Sequence, residues 1–287
     1  MRKIVLTLLA GTVAAALTAV SAAADGGPST GVSFGWNGIL GPGHEVRYVA
    51  IPSGRNTVVE VVRVLGGRVL RWTSIRGSYG IPSVTVFGRA GGLSHDGKTL
   101  VLASQSGVPD SHAVTRFAVV DTRTLRLQAV TSLRVRPVIA LHGSFSFDAL
   151  SPDASTLYLI QYTSAQDYTR YRVRAYDIHG ERLLPGAIVD KREPDEAMAG
   201  MPADRATTSD GRWAYTLYAR QGEPPFVHAL DTVKREAYCI DLPLRMNQQR
   251  QFRLRLRFHG SNELRVRAGR KAVAVVDMDR LEARRAG

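Results

Sequence analysis

Cysteine is almost missing from this chain of 287 residues: Cys239 is the only one. A single thiol excludes an internal disulfide, so stability has to come from buried apolar surface. In Ala237-Tyr238-Cys239-Ile240 the thiol reads as a small hydrophobe in an outer strand. Long apolar runs are missing beyond the first two dozen residues, and nothing later approaches the ~18 residues of a membrane-crossing helix. Acids are scarce, with 25 Asp and Glu against 38 Lys and Arg, a net charge of +13. No Gly-x-Ser-x-Gly elbow occurs, and Gly91-Gly92 precedes a strand pattern rather than a helix. The sequence therefore lacks both the serine-hydrolase turn and the glycine-rich phosphate cradle.

What is present begins with Arg2 and Lys3, followed by an uncharged run from Ile4 to Ala24 that ends in Ala22-Ala23-Ala24. A basic start, an apolar centre and an Ala-x-Ala site predict a secretory signal peptide over residues 1–24 and an exported chain. Residues 25–31 form a short Gly/Pro/Ser leader. No comparable linker follows, so residues 32–287 are expected to make one domain with no membrane span after cleavage.

The stretch from Ser144 to Val189 organises that domain. Phe145 and Phe147 alternate with small polar residues, the period of a half-buried strand. Ser151-Pro152-Asp153-Ala154 is turn chemistry, Leu157 to Ile160 a buried strand, and Tyr171 to Tyr176 another alternating run closed by Asp177-Ile178-His179-Gly180. The first turn recurs at Ser94-His95-Asp96-Gly97 and at Ser209-Asp210-Gly211, and the second at Asp121, Asp231 and Asp277. Degenerate copies start at Gly41-Pro42-Gly43 and Gly260-Ser261-Asn262. A four-stranded unit repeated about every 55 residues, unable to bury both its faces alone, predicts an all-β propeller of about five four-stranded blades. The segment 29–34 is expected to pair beside the last unit and fasten the ring, because an unpaired terminal edge frays.

The Ser-Pro-Asp turn followed by Leu-Tyr-Leu, with an aspartate turn some 25 residues later, resembles the YVTN/WD-type propeller repeat superfamily of secreted bacterial proteins. No tetrad reads Tyr-Val-Thr-Asn. Members of that superfamily include surface proteins, lactonases and cofactor-binding oxidases, so the resemblance implies a fold and leaves the chemistry open.

The acids and histidines supply the candidate site residues. His95, Asp96, Asp110 and His112 match no tetrahedral spacing, and the first two occupy a turn, so no metal is expected. Nothing calls for a cofactor. An enzymatic alternative, a lactonase or glycosidase at the channel mouth, would rest on His142 as base and on Asp148, the one acid on an inner strand. The positions aligned with Asp148 are Gly38, Gly91 and Ala206, which leaves it without the second carboxyl a glycosidase needs. The loop over residues 189–208, rich in charge and proline, is expected on one face of the ring.

Charge distribution is the most distinctive signal. Residues 245–287 carry twelve basic groups against four acids. In Phe252-Arg253-Leu254-Arg255-Leu256-Arg257-Phe258, alternation puts Arg253, Arg255 and Arg257 on one strand face. Arg265 and Arg267 repeat the pattern on the next strand. Like charges directly opposed across an antiparallel pair are destabilising, and the arginine fork suits phosphates and carboxylates. These residues predict a basic face for an anionic polymer or protein of the cell envelope, on a non-catalytic, monomeric, secreted binding or scaffold protein. Nucleic acid is not expected, since the strand carries no row of stacking aromatics.

Overall fold

The computed structural model describes residues 31–105, 113–127, 138–164, 170–195 and 198–287, and these are all-β with one helical turn. After β1 (Val32–Ser33), the first antiparallel sheet is β2 (Gly35–Leu40), β3 (Val46–Ser53), β4 (Asn56–Arg63) and β5 (Val69–Arg76), in that order. A short β6 (Ile81–Pro82) precedes the second sheet of β7 (Thr99–Ala103), β8 (Val114–Asp121), β9 (Arg126–Leu127) and β10 (Val138–His142). There β9 and β10 both pair with β8 and together make its outer neighbour. The third sheet is β11 (Phe145–Leu150), β12 (Thr156–Tyr162), β13 (Tyr171–Asp177) and β14 (Arg182–Leu183). The fourth is β15 (Met201–Thr207), β16 (Trp213–Ala219), β17 (Phe226–Asp231) and β18 (Glu236–Asp241). After α1 (Gln248–Gln251) comes the fifth: β19 (Leu254–His259), β20 (Glu263–Ala268), β21 (Lys271–Asp277) and β22 (Glu282–Arg285).

The turns repeat atom for atom. Asp96, Asp153 and Asp210 each accept a side-chain bond from a hydroxyl two residues earlier, at 2.7, 2.6 and 2.5 Å. Each also accepts from the backbone N–H two residues later, at 3.0 Å. The hydroxyls belong to Ser94, Ser151 and Thr208, a spacing of 57 residues. Thr208, not Ser209, is therefore the repeat's capping hydroxyl in the fourth sheet, a shift of one from the sequence reading. The second turns are equally regular. Asp121, Asp231 and Asp277 each accept from the N–H groups two and three residues on. Four residues after each repeat aspartate, Leu125, Glu181, Arg235 and Leu281 take positive φ near 55°. That left-handed residue lets a four-residue turn rejoin a twisted hairpin without splaying it.

Each sheet shares a buried apolar cluster with its successor. Tyr48, Val59 and Ile75 of the first pack with Leu100, Leu102 and Val120 of the second. Phe117 and Val119 pack with Phe145 and Leu159, and Tyr158 and Val173 with Ala214 and Leu230. Leu217 and Val227 pack with Leu254, Leu264 and Val276. Among the described residues no such cluster joins the fifth sheet to the first.

Two features depart from the sequence expectations. Val32 and Ser33 pair with Pro82 and Ile81, so the N-terminal segment joins the second unit rather than the last. The second sheet's innermost position is also interrupted. Gly80 exchanges backbone bonds with Ala103, and Gly92 accepts from Val101, but the chain between them leaves the sheet as a hairpin closed by Val84 N–H to Arg89 O at 2.8 Å. The hairpin crosses to the fourth sheet, where Val86 N–H donates to Pro202 O at 2.9 Å. It also reaches the fifth unit, where the Phe87 and Phe252 rings meet edge to face at 5.6 Å.

Candidate functional site

The arginine face is built by strand alternation and register. Leu254, Leu256, Leu264 and Val266 point into the core shared with the fourth sheet, which turns the intervening residues to the other face. The register sets Arg255 opposite Arg267 and Arg257 opposite Arg265, so the like-charge rungs expected from the sequence are present. Arg284 extends the second rung through Val275, and it was overlooked because Glu282-Ala283-Arg284-Arg285 is too short to show a period. Arg253 precedes β19, and its N–H bonds to Arg250 O at 3.1 Å. It belongs to the turn leaving α1 rather than to the strand face assigned from alternation.

Partners on this face are few among the described residues. Glu263 lies 3.5 Å from Arg265 and 3.3 Å from Arg284, and Asp204 lies 4.0 Å from Arg257. Arg255 donates to the carbonyls of Phe252 and Leu254 at 2.8 and 2.7 Å, and its guanidinium stands 5.9 Å from the Phe87 ring centre. Arg267 donates to Arg270 O. Backbone carbonyls thus orient the forks without cancelling their charge.

A second polar centre lies inside. Asp148 on β11 is buried and receives the Arg205 guanidinium of β15, which also donates to Asp148 O at 3.2 Å. The two residues stand 57 apart, each three before its unit's capping hydroxyl. They are the same position of successive repeats, not Asp148 and Ala206 as the alignment on Ser209 gave. Anchoring on Thr208 would have shown the pairing. Arg205 continues into a row across the fourth sheet, opposite Thr216, which is opposite His228. Burial pulls the His228 imidazole down to about 4, with the Asp148 carboxylate opposing and Arg205 assisting. Burial also pushes the Tyr171 and Tyr218 hydroxyls up. Asp148 Oδ2, Arg205 Nε, Thr216 Oγ1 and His228 Nε2 are buried without a hydrogen-bond partner.

The inner strands converge on a cavity of about 400 Å³ whose lining includes Val84, Gly91, His95, Phe147, Asp148 and Arg205. His142 is not part of it. It ends β10, opposite Val114 in the outer position of the second sheet, and is exposed. The expected imidazole and carboxylate at one channel mouth are not brought together, because the chain passes from outer to inner position between them. Asp96 is a turn residue, as expected; Asp110 and His112 lie outside the described residues. Of the segment 189–208, expected as a loop on one face of the ring, residues 201–207 form the inner strand β15 with Arg205 and Thr207 on the cavity wall, and residues 190–192 lie against the outer edge of the fourth sheet. Asp190 accepts from Cys239 N–H at 2.7 Å, and Arg192 from the same segment reaches Cys239 O at 3.1 Å and Leu281 O at 3.3 Å. Among the described residues no helix is long and apolar enough to cross a membrane.

No family model matches the chain, and no curated protein matches it in sequence. Solved structures do resemble it. A functionally unknown protein from Desulfotomaculum acetoxidans superposes with a TM-score of 0.48 at 9% identity, over 87% of this chain and 68% of that one. The Cps50 (Swd1) β-propeller domain of Myceliophteria thermophila gives 0.45 at 14% identity, over 86% and 64%. TolB from Acinetobacter baumannii gives 0.41 at 12% identity, over 84% of this chain and 51% of its own. This chain spans about half the length of that TolB. Likeness at this level says nothing about chemistry.

Proposed function

We propose that this chain is an exported β-propeller of about five blades that acts as a binding or scaffold protein, not an enzyme. In this reading its arginine face engages an anionic partner of the cell envelope. The observation that carries it is the pair of opposed rungs, Arg255 against Arg267 and Arg257 against Arg265. Each opposition works against stability by a few tenths of a kcal/mol. Only two carboxylates, Glu263 and Asp204, lie within ion-pair distance of these rungs among the described residues. A face with surplus forks oriented by carbonyls is suited to phosphate or carboxylate groups on a polymer. The basic, apolar, Ala-x-Ala sequence of residues 1–24 supports export. Five sheets packed in chain order, each with its successor, support the blade arrangement.

Phosphocellulose retention tests the reading. The full chain should elute well above physiological salt, and Arg265→Ala/Arg267→Ala should elute markedly earlier with thermal stability retained or slightly raised, since both opposed rungs are relieved. Elution of the unaltered chain at low salt, as for a merely basic surface screened beyond ~8–10 Å, would sink it.

A further inference from the structure

The outer edge of the first sheet has no part in that reading, which concerns a face of the fifth. There β5 runs for eight residues, Val69–Arg76, and pairs with β4. Among the described residues no strand or bridge lies along its other edge. Elsewhere the outer position is short or covered. β9 and β14 have two residues each, β22 four and β10 five. The six-residue β18 has Asp190 bridged to Ala237 and accepting Cys239 N–H at 2.7 Å. A long open edge is a template for another strand. We propose that β5 docks an extended acidic segment of a partner protein, added to the first sheet as a fifth strand.

Charge selects the occupant. Between Glu60 and Asp96 the chain holds Arg63, Arg68, Arg71, Arg76 and Arg89 and no acid. Arg71 and Arg76 are exposed on β5 itself, and among the described residues no carboxylate lies within ion-pair distance of either, Glu60 of the neighbouring strand included. Arg71 donates to Arg123 O, a carbonyl that leaves its charge in place. A second copy of β5, laid antiparallel about Thr73 and Ser74, would set Arg71 opposite Arg76 twice, and like charges so opposed are destabilising. Acids at those two positions of an incoming strand would meet the same forks with attraction. Trp72, 66% exposed, and Val69, 39% exposed, supply apolar contact along the edge. In strand addition the main-chain bonds give affinity and the side-chain rows give specificity. The rows here ask for acids opposite Arg71 and Arg76 and an apolar residue opposite Trp72.

Fluorescence anisotropy of labelled Glu-Ile-Thr-Thr-Ile-Glu, titrated with the full chain, tests this. The comparator is the same peptide with lysine in place of both glutamates. Saturable binding at least about tenfold tighter than the lysine peptide is the expected result, since two attractive pairs become two repulsive ones. Arg71→Glu/Arg76→Glu should reverse that order, and Arg265→Ala/Arg267→Ala should leave it within about twofold. Should the first variant fail to fold by circular dichroism, Arg76→Glu alone takes its place and should weaken the acidic peptide. Two further peptides, N-methylated at the odd or at the even positions, should part: one loses binding and the other keeps it, because only alternate N–H groups of a strand face its neighbour. The proposal is overturned by the absence of saturable binding, or by equal binding of the lysine peptide. Binding that disappears with the fifth-sheet arginines, or that treats the two methylated peptides alike, overturns it as well by removing the peptide from the strand edge.

Discussion

At the scale of single residues, His228 shows what burial does to a titratable group. It is fully enclosed between the third and fourth sheets, and its imidazole is held down to about 4. In the unfolded chain it protonates near 6.5, so between those values the unfolded state binds more protons and stability falls as pH falls. The full contribution is present above pH ~6.5, and a loss of roughly 3 kcal/mol accumulates by pH ~4. Turn aspartates follow below that window. Burial raises Asp96, but the Lys98 N–H and Ser94 hydroxyl bonds outweigh it and leave the carboxyl at about 2, so its contribution is lost as pH drops from ~4 toward 2. Thermal unfolding followed from pH 8 to pH 4 should show Tm declining below about 6.5, and His228→Gln should flatten that limb. An unaltered limb in the variant would assign it to another group. The burial of His228 was not visible in the sequence: Val227-His228-Ala229 carries no motif, and only sheet stacking decides that its face is dry.

Elements tell a more legible story. Aspartate turns could be read from the chain because their bonds run two or three residues along it, and the alternation of Phe252 to Phe258 gave the basic face before any tertiary contact was known. Register was decided elsewhere, by the hairpin at Gly260 and the apolar core, and it could have offset the arginines instead of opposing them. Because Arg267 faces Arg255, Arg267→Glu should convert a repulsive pair into an attractive one. Chemical denaturation should report a gain of about 0.5 kcal/mol, and phosphocellulose retention should weaken in the same variant. A loss of stability would mean that the rung is already compensated.

For the whole molecule the open question is how the first and last sheets are held. They share no apolar cluster among the described residues, whereas every consecutive pair does. The hairpin between Ser83 and Ala90 makes long-range ties in their place. It docks on Pro202, offers Arg89 to Asp204, and sets Phe87 against Phe252 and the Arg255 guanidinium. Asp204 in turn accepts Leu256 N–H at 2.7 Å, which fixes β19 to β15. Phe87→Ala should therefore cost about 1 kcal/mol, the scale of one aromatic pair. Hydrogen exchange should rise first in β19 and α1 and remain slow in β12 and β16. Uniform acceleration across all sheets would show that the hairpin is not a local staple.

The sequence by itself determined the unit: four short strands, two aspartate turns and a period of 57 residues at its clearest. Those features rest on bonds between near neighbours and on side-chain alternation, which any stretch of chain expresses alone. Tertiary structure decided which units meet and what they exchange. It sent the N-terminal segment to Ile81 and Pro82, moved His142 to an outer strand, and joined Asp148 to an arginine one repeat away. Such contacts depend on which faces are buried together, and a local pattern cannot specify its distant partner.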